Sequence, residues 1–345
     1  MDTDLDNTGK PDCVVIDTNI WRSELLLKTP VGASFVYTLG RQRAFLGLPE
    51  VVEQELTRQI VEAGHLAAEA LEKSSRTINT LTDSPFPPSI PTDAALEEKV
   101  VERLRHLESI LVRVPFTLEH ARAALEMVNA KVAPNGEKNQ QFKDSAIWQA
   151  VLALSSDYCV HLVTNDRAFL LNRNDPSLGL AKNLQEDCSK RAVHVGIYCD
   201  LAACLKDIRR DAPPVDHTRL CSLVLPCVEA PLRREAERNS VVIGEILNTD
   251  ITAFRIANND RLAVDYKITA QCDQDRSRPA DSRTNIRAIV HGSCYYDPSA
   301  GLLSDHFLQY VTIEWNYTGG GHGRSIRSYE GEEIPIPFRR PPPWN

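Results

Sequence analysis

The chain has 345 residues, which is more than one ordinary hydrophobic core uses and enough for two. Its 42% hydrophobic and 25% charged residues are typical of a soluble globular protein and exclude global disorder. The net charge of -8 argues against a broad basic surface that grips duplex DNA, whereas a carboxylate cluster for divalent cations would carry this sign.

Targeting and redox signals are few. No apolar run approaches the roughly 18 residues that span a bilayer, and the first residues, Met1-Asp-Thr-Asp-Leu-Asp, are acidic where a secretory signal is basic. We therefore expect a cytoplasmic protein with no membrane contact. The nine cysteines contain no C-x-x-C pair, which argues against a structural zinc or a disulfide framework and favours reduced thiols.

The first part of the chain alternates short apolar runs with helical patterns. Buried strands are predicted at Cys13 to Ile16, Phe45 to Leu48, Cys159 to Thr164 and Ala192 to Tyr198. Helices are predicted at Val51 to about Thr80, Ala94 to about Val112, Leu118 to Val132, from near Asp144, and at Asp200 to Ile208. This alternation implies a parallel sheet covered on both faces, with a ligand site at the carboxyl ends of its strands.

The pattern changes to period two after Asp211-Ala-Pro-Pro-Val215. Half-exposed antiparallel strands are predicted at Val241 to Ile246, Leu262 to Gln271, Ile286 to Val290 and Phe307 to Tyr317. They predict a small all-β sandwich or barrel of about five strands, ending in a glycine-rich hairpin or loop at 319–323. The predicted domains are therefore an α/β domain at 11–210, a linker at 211–217, a β-rich domain at 218–330 and a proline-rich tail at 331–345.

Four carboxylates occupy positions that open into a cleft or face a core. Asp17 and Asp166 follow two of the predicted strands. Glu55 borders the apolar face of its helix, and Asp144 is in line with the apolar stripe of the helix that begins near it. Each one alone also fits a helix cap or a helix flank. Together they fit phosphodiester hydrolysis, because Mg²⁺ or Mn²⁺ prefers carboxylate oxygens and can activate a water molecule.

The first roughly 210 positions resemble PIN-domain nucleases. The resemblance rests on four segments in order, namely Val14-Val-Ile-Asp17-Thr-Asn19, Leu48-Pro-Glu-Val-Val-Glu-Gln-Glu55-Leu, Phe142-Lys-Asp144-Ser-Ala-Ile-Trp148 and Leu162-Val-Thr-Asn-Asp166-Arg-Ala-Phe169. It implies a Rossmann-like three-layer fold and a Mg²⁺- or Mn²⁺-dependent endoribonuclease that acts on single-stranded RNA.

The resemblance also implies roles for individual residues. Its catalytic and metal-site acids would be Asp17, Glu55, Asp144 and Asp166. Residues that orient these acids would be Thr18, Asn19, Lys143, Thr164 and Asn165.

Other functions were compared with this one. A phosphatase of the haloacid dehalogenase type needs a second aspartate two positions after the first, where this chain has Asn19. A catalytically inactive PIN-like scaffold that binds RNA or a protein partner stays open as an alternative. The β-rich region resembles no family, and three roles stay open for it: a nucleic-acid platform, a module for a protein partner, or a homo-oligomer surface.

Overall fold

The computed structural model describes residues 10–83, 85, 87–137, 139–173, 175–209, 213–256, 261–275 and 282–333. Part of the predicted linker, at 211–212, and the predicted tail from 334 onward lie outside this range. The chain divides into two compact units, Met1–Leu26 with Leu39–Ile208, and Leu27–Thr38 with Arg209–Asn345. The predicted domain limits stay a prediction, and the segment Leu27–Thr38 was not foreseen as part of the second unit.

The N-terminal unit is built on a parallel sheet, as the sequence predicted, but the sheet has five strands and the sequence predicted four. The strands are β1 (Asp12–Ile16), β2 (Phe45–Pro49), β3 (Leu111–Val114), β4 (Cys159–Val163) and β5 (Val195–Tyr198). Their order is β3-β2-β1-β4-β5, and every neighbouring pair is parallel. Strand β3 was missed, because the helix predicted to reach Val112 ends at Leu107 and the chain then turns into the sheet.

Helices lie along the chain between these strands and after the last of them. They are α1 (Thr18–Ser23), α2 (Pro30–Gln42), α3 (Glu50–Thr82), α4 (Asp93–Leu107), α5 (Leu118–Ala130), α6 (Phe142–Leu154), α7 (Lys182–Arg191) and α8 (Leu201–Ile208). Threonine side chains begin two of them, since Thr92 accepts a hydrogen bond from Ala95 N and Thr117 accepts one from His120 N. Among the described residues, no helix is both long and apolar enough to cross a membrane.

The strand order places a crevice between β1 and β4. From β1 the chain continues to β2, toward one edge of the sheet. From β4 it continues to β5, toward the opposite edge. Connections that diverge in this way open a crevice at the carboxyl ends of the two central strands, where ligands bind in open α/β sheets. The residues that follow Ile16 and Val163 therefore lie at this crevice.

The C-terminal unit contains one antiparallel sheet of five strands, which confirms the period-two prediction. The strands are β6 (Val241–Arg255), β7 (Leu262–Gln274), β8 (Arg283–Asp297), β9 (Leu302–Tyr317) and β10 (His322–Glu333), in the order β10-β9-β8-β7-β6. The turn between β9 and β10 uses Gly320 and Gly321 at positive φ, so the glycine-rich segment is a hairpin.

A helix of this unit was not predicted. Helix α9 (His217–Arg238) precedes the sheet and contains two prolines. Its buried residues Leu220, Val224 and Val228 recur every fourth position and pack in one core with strand residues such as Val264 and Val290. One face of the sheet is thus covered by a helix of the same unit.

Candidate active site

Asp17 directly follows β1 and is only 6% exposed. Its Oδ1 accepts a hydrogen bond from Thr18 N at 2.6 Å and begins α1, while its Oδ2 accepts one from Thr164 Oγ1 at 2.9 Å. Burial raises the pKa of Asp17 more than these two hydrogen bonds lower it, and the charges of Asp166 and Glu55 add to the rise. Asp17 therefore caps α1 and also lies close to other carboxylates.

Asp166 lies beyond the carboxyl end of β4, opposite Asp17. Its Oδ1 accepts a hydrogen bond from Ala168 N at 2.8 Å, and its backbone N donates to Thr164 Oγ1 at 3.0 Å. One buried hydroxyl, that of Thr164, therefore connects the two aspartates. The remaining oxygen, Oδ2, accepts a hydrogen bond from Gln141 Nε2 at 2.6 Å, a contact that the sequence did not predict.

Glu55 reaches the same place from α3. Its Oε1 accepts hydrogen bonds from Lys143 Nζ at 2.9 Å and Arg58 Nη2 at 3.0 Å, and Thr18 Oγ1 donates to its Oε2 at 3.4 Å. Partial burial acts to raise the pKa of Glu55, but the hydrogen bond and charge of Lys143, together with hydrogen bonds with Gln59 and Arg58, hold it below its ordinary value. Glu55 is therefore an ionised carboxylate fixed by two exposed cations.

Asp144 lies in the first turn of α6 and interacts with all three other acids. Its burial, the charges of Asp17 and Asp166, a hydrogen bond with Asp166 and the charge of Glu55 together raise its pKa to about 8. The structure thus brings Asp17, Glu55, Asp144 and Asp166 into one interacting set, here called the carboxylate cluster. Their role as metal ligands stays a prediction.

The loop before α6 is held by a buried asparagine. Asn135 Nδ2 donates to Ser145 Oγ at 2.8 Å, and its Oδ1 accepts a hydrogen bond from Gln141 N at 2.6 Å. These contacts hold Gln141, which hydrogen-bonds to Asp166, and the first turn of α6, which carries Asp144. The sequence predicted only that the preceding helix ends near Val132, because contacts across six and ten residues leave no periodic signal.

The predicted orienting residues divide into two groups. Thr18, Thr164 and Lys143 hydrogen-bond to members of the carboxylate cluster. Asn19 and Asn165 are exposed next to it, and their role stays a prediction.

A second group of side chains with metal-binding atoms lies at the amino ends of β1 and β4, opposite the carboxylate cluster. One ligand atom each from Asp12, Cys159 and His161 lie within 4.8 Å of one another. Burial lowers the pKa of His161, but hydrogen bonds with Asp12 and Cys159 outweigh it and raise the pKa to about 9. This group was not predicted from the sequence, since its members come from two strands that are far apart in the chain.

Comparison with known families gives one match. Residues 14–169 match a family model described as a PIN domain, and all four acids of the carboxylate cluster lie inside the matched range. The search of curated proteins and the search of solved structures each gave no match. The resemblance inferred from the sequence is thereby confirmed for the N-terminal part, and the family model does not extend to the C-terminal part.

Proposed function

From the PIN domain at residues 14–169, we propose that this protein is a metal-dependent endonuclease that hydrolyses the phosphodiester bonds of single-stranded RNA. The observation that carries the proposal is the carboxylate cluster at the crevice between β1 and β4, where ligands of open α/β sheets bind. Purified protein that cleaves single-stranded RNA only with a divalent cation would support it.

The donor set fits a hard divalent cation. The cluster offers carboxylate oxygens and no thiolate or imidazole, which is the ligand chemistry that Mg²⁺ and Mn²⁺ prefer. Burial and, after it, the charges of the neighbouring carboxylates raise the pKa of Asp144 to about 8, and a bound cation would favour its ionised form. When bound, such an ion lowers the pKa of a water molecule and neutralises charge on the phosphate.

Side chains of the chain itself would arrange the reaction. Asp17, Asp144 and Asp166 would hold the cation. The hydroxyl of Thr164 fixes the Asp17 carboxylate and also accepts a hydrogen bond from the backbone N of Asp166. Glu55 would complete the set from α3. Lys143 and Arg58, whose side chains are 58% and 64% exposed, place positive charge where an approaching phosphate would pass.

Glu55→Gln is expected to lower the rate of RNA cleavage at least about 10-fold, because the variant removes a charged oxygen that is held toward the cluster. Glu53→Gln is the matched control on the same helix. Within the described part of the chain, the one ion pair of Glu53 is an exposed contact with Arg113, at 3.4 Å, so its loss should change the rate by no more than about twofold. Equal rates for the two variants would exclude Glu55 from the site.

The C-terminal unit has no carboxylate of the cluster. Its proposed contribution is binding, of RNA, of a protein partner or of a second copy, and the sequence left these three open. The proposed compartment is the cytoplasm.

A further inference from the structure

The group of Asp12, Cys159 and His161 lies at the amino ends of two neighbouring strands. Asp12 begins β1 and Cys159 begins β4, and these two residues are direct partners in the parallel register. His161 lies two positions after Cys159, so both side chains point to the same face of the sheet. Three side chains with metal-binding atoms therefore share one corner.

Their ligand atoms already approach one another. His161 Nε2 lies 3.0 Å from Asp12 Oδ1, and Cys159 also hydrogen-bonds to His161. The side chains of His161 and Asp12 are 12% and 32% exposed, so the corner is partly shielded and still open to an ion from solution. Tetrahedral zinc ligands at about 2.0 to 2.3 Å from the ion would need only small shifts from this arrangement.

The other ring nitrogen of His161 is held by a hydrogen bond with a tyrosine. His161 Nδ1 lies 3.2 Å from the hydroxyl of Tyr198, which in turn donates to Asp207 Oδ2 at 2.9 Å. Gly196 faces His161 in the register, and a Cβ there would lie 2.9 Å from the Tyr198 hydroxyl and 3.1 Å from His161 Nδ1. A metal-binding histidine needs such a partner on its second nitrogen to set its orientation.

We propose that Asp12, Cys159 and His161 bind a divalent transition ion of the zinc type. A thiolate and an imidazole select such an ion over Mg²⁺, and three protein ligands leave a fourth position for water. The ion would join the starts of β1 and β4 and stabilise the N-terminal unit. The argument does not depend on the nuclease proposal, because Asp12 and Asp17 lie roughly 16 Å apart along an extended strand.

Cobalt provides the test, because a thiolate bound to Co²⁺ gives a charge-transfer absorption that oxygen ligands do not. Full-length protein is treated with chelator, dialysed, kept reduced and titrated with Co²⁺. The absorption should appear in the native chain and in Asp17→Asn, and it should disappear in Cys159→Ser. It should persist in Cys221→Ser, the matched control, since Cys221 is a partly buried thiol on α9.

Further variants separate a metal site from a structural ion pair. Tyr198→Phe keeps all three ligands but loses the hydroxyl behind His161, so we expect the absorption with about 10- to 100-fold weaker Co²⁺ binding. In an Asp17→Asn background, which weakens cation binding at the carboxylate cluster, Zn²⁺ should raise the thermal midpoint, and adding His161→Gln should abolish that rise. This comparison still tests the proposal if Cys159→Ser fails to fold. No charge-transfer absorption in the native chain, or an unchanged absorption in folded Cys159→Ser, would overturn the proposal.

Discussion

Asp17→Asn and Asp144→Asn are each expected to lower RNA cleavage by more than about 100-fold while the protein stays folded. Both residues belong to the carboxylate cluster, and replacing a carboxylate that would bind the cation directly costs more than replacing a partner behind it, which typically costs 10- to 100-fold. The fold should persist because an asparagine at position 17 can still accept the hydrogen bond from Thr18 N that begins α1.

Single-turnover cleavage of a labelled single-stranded RNA, with Mn²⁺ in excess, measures this effect. Circular dichroism on the same samples shows whether each variant is folded. Glu53→Gln serves again as the control that removes a carboxylate outside the cluster. Native rates in both aspartate variants would show that the cluster takes no part in hydrolysis.

Asp144→Asn is also expected to stabilise the metal-free protein at neutral and alkaline pH. The folded-state pKa of Asp144 is about 8, well above its ordinary value of 3.8, so the native fold loses stability as pH rises between these two values. An asparagine amide carries no charge and can donate to Asp166 as the protonated acid does. The gain over the native chain grows toward pH 8 and can reach at most on the order of 5 kcal/mol there, because each of the roughly four pKa units is worth about 1.4 kcal/mol.

Thermal unfolding in EDTA at pH 4, 6 and 8 tests this expectation. The difference in midpoint between Asp144→Asn and the native chain should be small at pH 4 and widen toward pH 8. Excess Mn²⁺ should reduce the difference, because a bound cation stabilises the ionised cluster of the native chain. A constant difference at all three pH values would mean that Asp144 does not titrate in the way that the cluster requires.

Most elements of the fold were predicted from the sequence, and the omission of one strand and one helix has physical causes. Strand β3 has only four residues, Leu111-Val-Arg-Val114, which is too short for a period to distinguish it from the end of the preceding helix. Helix α9 was missed because Pro226 and Pro231 each argue against a helix interior. Its apolar residues at every fourth position pack on the sheet, and this burial outweighs the cost of the prolines.

The carboxylate cluster was predicted because its members occupy positions that a sequence pattern marks, at strand ends and on core-facing helix turns. The residues around it were harder to predict. Gln141 and Asn135 lie in the loop before α6, and their contacts depend on how that loop closes, which no period or composition encodes. Asp12, Cys159 and His161 meet only through the pairing of β1 with β4, a long-range event that spacing rules for metal sites do not cover.

The most direct test of the central claim is cleavage of single-stranded RNA by the purified full-length protein in the presence of Mn²⁺ or Mg²⁺, EDTA, or EDTA followed by excess Mn²⁺. Asp144→Asn is assayed in parallel to exclude a contaminating nuclease. The proposal predicts cleavage with the cation, none in EDTA, recovery on adding Mn²⁺ back, and no cleavage by the variant in any condition. Cleavage that persists in EDTA, or RNA binding without cleavage in every condition, would contradict a metal-dependent nuclease, and the second result would favour a PIN-like scaffold.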